Sequence, residues 1–134
     1  MTTVVDASAA VEIYLNKEMA NPFQDWIDAS EIVLAPDIFP SEITNIFWKY
    51  RTFSGFSESE CKAGIDCCLD MIDDFVSTRT LCQEVFAESA RLRHPSYDLF
   101  YLLVARRSGG SILSRDKKLL EAAKELGVTV PNFD

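Results

Sequence analysis

With 134 residues, 48% of them hydrophobic and 25% charged, the chain has the size of one domain with its own core and a composition that excludes general disorder. Its 13 basic and 21 acidic residues leave a net charge of −8, which argues against holding nucleic acid on a broad basic surface but not against a nucleic-acid enzyme whose local charge is inverted by bound metal ions. No apolar run reaches membrane-span length, the start has no basic n-region with an apolar segment behind it, and Cys61, Cys67, Cys68 and Cys82 lack C-x-x-C spacing beside a lone histidine, His94.

The expectation from these totals is a single domain over 1–134, cytoplasmic, with reduced thiols buried on a helix. In chain order, Thr3-Val4-Val5 is a short β-branched strand ending in Asp6, followed by a helix from about Ser8 to Leu15. Asn21-Pro22 opens a second helix, and Glu31 to Ala35 reads as the next strand, stopped by Pro36. Asp37 is the expected cap of a third helix running to about Phe53, with Glu42 in its first turns. A fourth helix, Ser57 to about Asp74, begins with Ser57 and Glu60 at capping-box spacing.

Phe75 to Leu81 reads as a strand and Gln83 to Arg93 as a helix. The next stretch organises the chain. Ser96 is placed to cap a helix that carries Asp98 in its first turn, where the macrodipole favours a carboxylate. Gly109-Gly110 breaks that helix, Ser111 to Ser114 forms a strand, and Asp116 stands where the strand ends. A helix over Lys117 to Leu126, Gly127 at its C-terminus and a last strand, Val128 to Val130, complete the chain. Strands alternating with helices predict a parallel-sheet α/β sandwich.

In such a sheet Asp6 and Asp116 lie at the ligand-binding edge, and Asp98 and Glu42 open helices that pack against it. Four converging carboxylates repel one another, and a cation removes that repulsion. Oxygen donors without nearby histidine or cysteine point to magnesium or manganese. An ion so held acidifies a bound water and stabilises in-line attack on a phosphodiester.

The segments Val4-Val5-Asp6-Ala7-Ser8, Ser41-Glu42, Tyr97-Asp98 and Ser114-Arg115-Asp116 stand in the order and spacing of PIN-domain ribonucleases of the kind found as VapC toxins in VapBC toxin-antitoxin pairs, and the chain resembles that family over nearly its whole length. The resemblance implies a three-layer α/β/α sandwich with a five-stranded parallel sheet and an Mg2+- or Mn2+-dependent endoribonuclease. It also implies an RNA substrate, a homodimer and a cognate antitoxin. Asp6, Glu42, Asp98 and Asp116 become the catalytic, metal-binding acids, with Ser8 and Ser114 beside two of them as supporting hydroxyls. The chain departs from the pattern at Ser41, where many relatives have Asn, and at Leu119 and Leu120, where no further acid stands.

Each acid also has a plainer reading. Taken singly, Asp6 and Asp116 are helix caps and Glu42 a solvated first-turn residue. Arg115 reads as solvated or ion-paired, and His94 is given no role. Phe39, Phe47, Trp48, Tyr50, Phe53 and Phe56 are mostly core at helical spacing, with part left over for a dimer surface or antitoxin groove. A haloacid-dehalogenase-like phosphatase needs a second Asp where Ser8 stands, and a response-regulator receiver needs paired acids after the first strand. The remaining alternative is a catalytically silent PIN-fold module acting through RNA or protein partners.

Overall fold

The N-terminal β-branched run forms β1 (Thr2–Val5), in which Val4 and Val5 are fully buried, as expected for a strand covered on both faces. The computed structural model describes residues 1–134. After β1 come α1 (Ala7–Tyr14), α2 (Ala20–Asp28), β2 (Ile32–Pro36), α3 (Phe39–Phe53), α4 (Glu58–Asp70) and β3 (Asp74–Val76). A 3-10 turn over Thr78–Thr80 leads to α5 (Cys82–Leu92), α6 (Ser96–Ser108), β4 (Ser111–Leu113) and α7 (Lys117–Glu125).

The strands are all parallel in the order β3-β2-β1-β4, with Val4 opposite Leu34 on one side and Ile112 on the other. From β1 the chain steps outward to β2 and β3, then returns to place β4 on the opposite flank of β1. The winding therefore reverses between β1 and β4, which opens a crevice beyond their carboxyl ends. Helix α6 lies across β1, β2 and β4, flanked by α5 and α7, while α1 packs with α2, α3 and α4. Thirty buried hydrophobic residues form one cluster through these layers.

The sheet has four strands, not five. Val128 to Val130 contributes one parallel bridge, Thr129 to Ser111, secured by the Ile112 N–H donating to the Thr129 carbonyl at 3.0 Å. Strand β4 is only three residues long, and Pro131 has no N–H to extend a ladder.

Two further expectations fail for one shared reason. Asp37 does not cap α3, whose N-cap is Ile38 without a side-chain bond. Its Oδ1 instead accepts from the Thr78 N–H at 3.1 Å, and its own N–H donates to the Val76 carbonyl at 2.9 Å. This contact ends β3 at Val76 and turns the expected strand over Phe75 to Leu81 into a short strand plus a 3-10 turn. Ser96 likewise begins α6 instead of capping it, because Pro95 occupies the N-cap. The capping residue of α4 is Ser57, whose hydroxyl accepts from the Glu60 N–H at 3.1 Å.

All four cysteines are free. Cys61 and Cys68 are buried, but Cys67 and Cys82 are exposed, which corrects the expectation of uniformly buried thiols. Of the aromatic set, Phe39 and Phe47 are core, Tyr50 and Phe56 stack at 4.7 Å, and Trp48 and Phe53 pair edge to face on the surface.

The Gly109-Gly110 break sets the position of β4. Gly109 ends α6 with a φ of 67°, and a Cβ on Gly110 would stand 2.8 Å from the Thr2 carbonyl oxygen. That neighbour is the backbone of the central strand and has little freedom to move. Gly110→Ala is therefore expected to destabilise the protein by about 1–3 kcal/mol, the usual cost of overpacking. Denaturant unfolding of the variant measures it; an unchanged midpoint would show that β1 yields.

Candidate functional site

Asp6 continues β1 by one residue, its N–H donating to the Leu113 carbonyl at 3.1 Å, and then caps α1. Its Oδ1 accepts from the Ala9 N–H at 2.9 Å and the Ser8 hydroxyl at 2.7 Å, and its Oδ2 accepts from the Ser114 hydroxyl at 2.6 Å. The carboxyl is thus tied across the crevice to the end of β4. It is 5% exposed. Burial lifts its pKa from 3.8 to about 6 despite the three donors, and the charge of Glu42 adds to the rise.

Glu42 is half-buried in the first turn of α3, and its Oε1 accepts from the Tyr101 hydroxyl of α6 at 2.8 Å. Desolvation raises its pKa, the Tyr101 bond opposes the rise, and Asp98 adds to it. Tyr101 is 2% exposed. Its hydroxyl is held far above the usual phenol range by burial and by the charges of Glu42, Asp6 and Asp98. Three acids thus act on one phenol.

Asp98 is the third residue of α6, and its Oδ2 lies 2.8 Å from His94 Nε2. The imidazole belongs to the turn before the helix. Asp116 caps α7, its Oδ1 accepting from the Lys118 and Leu119 N–H groups at 2.9 and 3.3 Å. Its own N–H donates to Ser114 Oγ at 2.9 Å, so Ser114 bridges Asp6 and Asp116. Ser8 Oγ plays a similar part, accepting from the Arg115 N–H at 2.9 Å. The Arg115 guanidinium pairs with Glu12 at 3.5 Å and Glu18 at 3.8 Å, as an ion-paired arginine should.

The structure therefore gathers Asp6, Glu42 and Asp98 into one electrostatic neighbourhood, with Ser8 and Ser114 bonded to Asp6. Asp116 joins it only through Ser114 and is exposed. The capping readings of Asp6 and Asp116 hold in full, alongside whatever else these acids do. As placed, no three acids close into a ready cage for an ion. The donor chemistry fits a hard divalent cation even so. Every candidate ligand is a carboxylate, and the ion pairs of the chain involve neither Asp6 nor Glu42, so their mutual repulsion has no cation to offset it.

The sequence reading passed over Tyr101 and gave His94 no role, yet both bond to candidate acids. Tyr101 stands three residues after Asp98 and His94 four before it, spacings that share a helix face or reach it, but each partnership needs the tertiary fold to show its purpose.

Residues 3–125 match the PIN domain family. Ribonuclease VapC3 of Pyrobaculum aerophilum is 24% identical over 126 residues, covering 90% of this chain and 94% of the relative. The crystal structure of PAE2754 from Pyrobaculum aerophilum superposes with a TM-score of 0.74 at 22% identity, covering 97% of this chain and 92% of that one. The likeness extends to the architecture of the whole chain.

The raised pKa of Asp6 has a thermodynamic consequence. A carboxyl raised on folding contributes stability that is fully present below its unfolded value of 3.8 and is lost as pH rises through about 6. Glu42 acts in the same direction. In EDTA, stability is expected to fall between pH 4.5 and 7.5 by on the order of 2 kcal/mol, and Asp6→Asn should remove most of that slope. Urea unfolding across the window tests it; a rise with pH, or an equal slope in the variant, contradicts the assignment.

Proposed function

The chain belongs to the PIN-domain family, and on that basis we propose that it is a metal-dependent endoribonuclease that hydrolyses RNA phosphodiester bonds, the toxin of a type II toxin-antitoxin pair. The observation that carries the proposal is the buried Asp6 carboxyl, raised to about 6 beside Glu42 at the β1–β4 crevice. Conserving charge repulsion in a buried site makes physical sense when a cation completes it. The name of the similar Pyrobaculum aerophilum protein, Ribonuclease VapC3, supports the same activity here.

Asp6, Glu42, Asp98 and Asp116 would hold Mg2+ or Mn2+. When bound, the ion supplies charge neutralisation at the phosphodiester and acidifies a water. Ser8 and Ser114 fix both oxygens of Asp6, so that its carboxylate faces the crevice in one orientation. Asp116 uses Oδ1 for its cap, which leaves Oδ2 to a ligand or to an attacking water. A carboxylate that takes the proton of that water promotes in-line attack at phosphorus, and the leaving ribose oxygen departs opposite.

No helix is long and apolar enough to cross a membrane; the proposed toxin role itself places the protein with cytoplasmic RNA. One continuous core supports reading 1–134 as a single domain. The exposed Trp48 and Phe53 pair is the surface we assign to a homodimer contact or a cognate antitoxin. The commitment of Asp116 Oδ1 to capping and the lack of a closed cage favour a second reading, a silent module that binds RNA or protein without cutting.

Purified, antitoxin-free protein should cleave a mixed RNA pool with Mn2+ or Mg2+ and not with EDTA. Asp6→Asn and Asp98→Asn should each slow cleavage roughly a hundredfold or more, since several kcal/mol of charge stabilisation rest on the ligand set. Binding of RNA without metal-dependent cleavage would select the silent module.

A further inference from the structure

Tyr101 has a chemical peculiarity that core packing leaves unexplained. It belongs to the buried cluster and is 2% exposed, yet its hydroxyl reaches from α6 to α3 and donates to Glu42 Oε1 at 2.8 Å. Glu42 Oε2 has no hydrogen bond within the chain, and no buried side-chain oxygen lacks a partner, so Oε2 is open to solvent. The two oxygens of one carboxylate are thereby made unequal. A phenol does this without cancelling the charge, which a lysine or arginine in its place would do.

Resting on the metal-dependent reading above, we propose that Tyr101 is a positioning residue that holds Glu42 by one oxygen and so sets which divalent ion the site prefers. Mg2+ demands near-ideal octahedral geometry and takes one oxygen from each carboxylate, whereas Ca2+ is larger, tolerates irregular geometry and readily takes both. With one lone pair of Oε1 engaged by the phenol and Oε2 free, Glu42 is biased toward ligation through one oxygen, which suits the smaller ion. Tyr101 stands one turn beyond Asp98 on the same face of α6, so the helix that carries one acid also orients another. The ordering of a flexible glutamate before the ion arrives is also in place, since the phenol is locked by its burial.

Calorimetric titration of Mg2+ and of Ca2+ into the wild-type chain and Tyr101→Phe, in the absence of RNA, tests the proposal. Loss of a ligand-orienting partner is expected to weaken Mg2+ roughly tenfold. Ca2+, which gains access to both freed oxygens, should change by less than about threefold. The ratio of the two dissociation constants then moves toward Ca2+. Glu42→Asp, whose shorter side chain draws the carboxylate away from the fixed hydroxyl, should move the ratio the same way and provides a second variant should Tyr101→Phe melt early.

A purely packing role for Tyr101 would leave both constants unchanged or weaken them in parallel, and either result overturns the proposal. Saturable Mg2+ binding by the wild type with an unmoved ratio removes only the role of Tyr101. No binding of either ion by the wild type removes the metal-dependent reading and this inference with it.

Discussion

A carboxyl buried at the end of the central strand is the constraint on which the rest of the site depends. Asp6 is placed by the sheet itself, since its N–H extends the β1–β4 ladder, and it is gripped by hydroxyls from α1 and from the end of β4. Three donors are a substantial solvation shell for a carboxylate, but burial still outweighs them and the pKa remains raised to about 6. The fold thus maintains an acid that is only partly compensated. Such an arrangement costs stability in the free protein and is relieved by a ligand of positive charge.

The topology explains why the other groups meet there. Reversal of the winding between β1 and β4 leaves a crevice that no crossover covers, and the helices that follow or precede those strands open onto it. Helix α6, packed across three strands, brings Asp98 and Tyr101 in on one face. Helix α3 supplies Glu42 from across the sheet, and the Tyr101 hydroxyl joins the two helices. The glycine pair after α6 permits β4 to lie close against the backbone of β1, which in turn brings Ser114 within 2.6 Å of Asp6.

Much of this is legible in the sequence because it is local. Hydrophobic runs ending in an acid mark β1 and β4, and the Ser57-to-Glu60 spacing marks the start of α4. The misreadings came where a distant partner competed with a local rule. Asp37 obeys capping statistics but is claimed by Thr78, 41 residues on, and the same contact truncates β3. The final strand had the right residues, yet a three-residue neighbour and Pro131 allowed it one bridge. Tyr101 draws no reading from the sequence, because only the packing of α6 against α3 reveals what its hydroxyl meets, 59 residues away in sequence. His94, as a lone loop histidine, gave no sign that its ring would reach Asp98.

If the crevice is a cation site built around an uncompensated Asp6, then ion binding and proton release must be linked, because a ligand carboxyl has to be deprotonated. Calorimetric titration of Mg2+ in buffers of different ionisation enthalpy counts those protons. Near pH 6, where Asp6 is half-protonated, roughly half a proton should leave per ion bound, falling toward zero by pH 8. Binding that releases no proton at pH 6, or no binding at all, would contradict the central role given to Asp6.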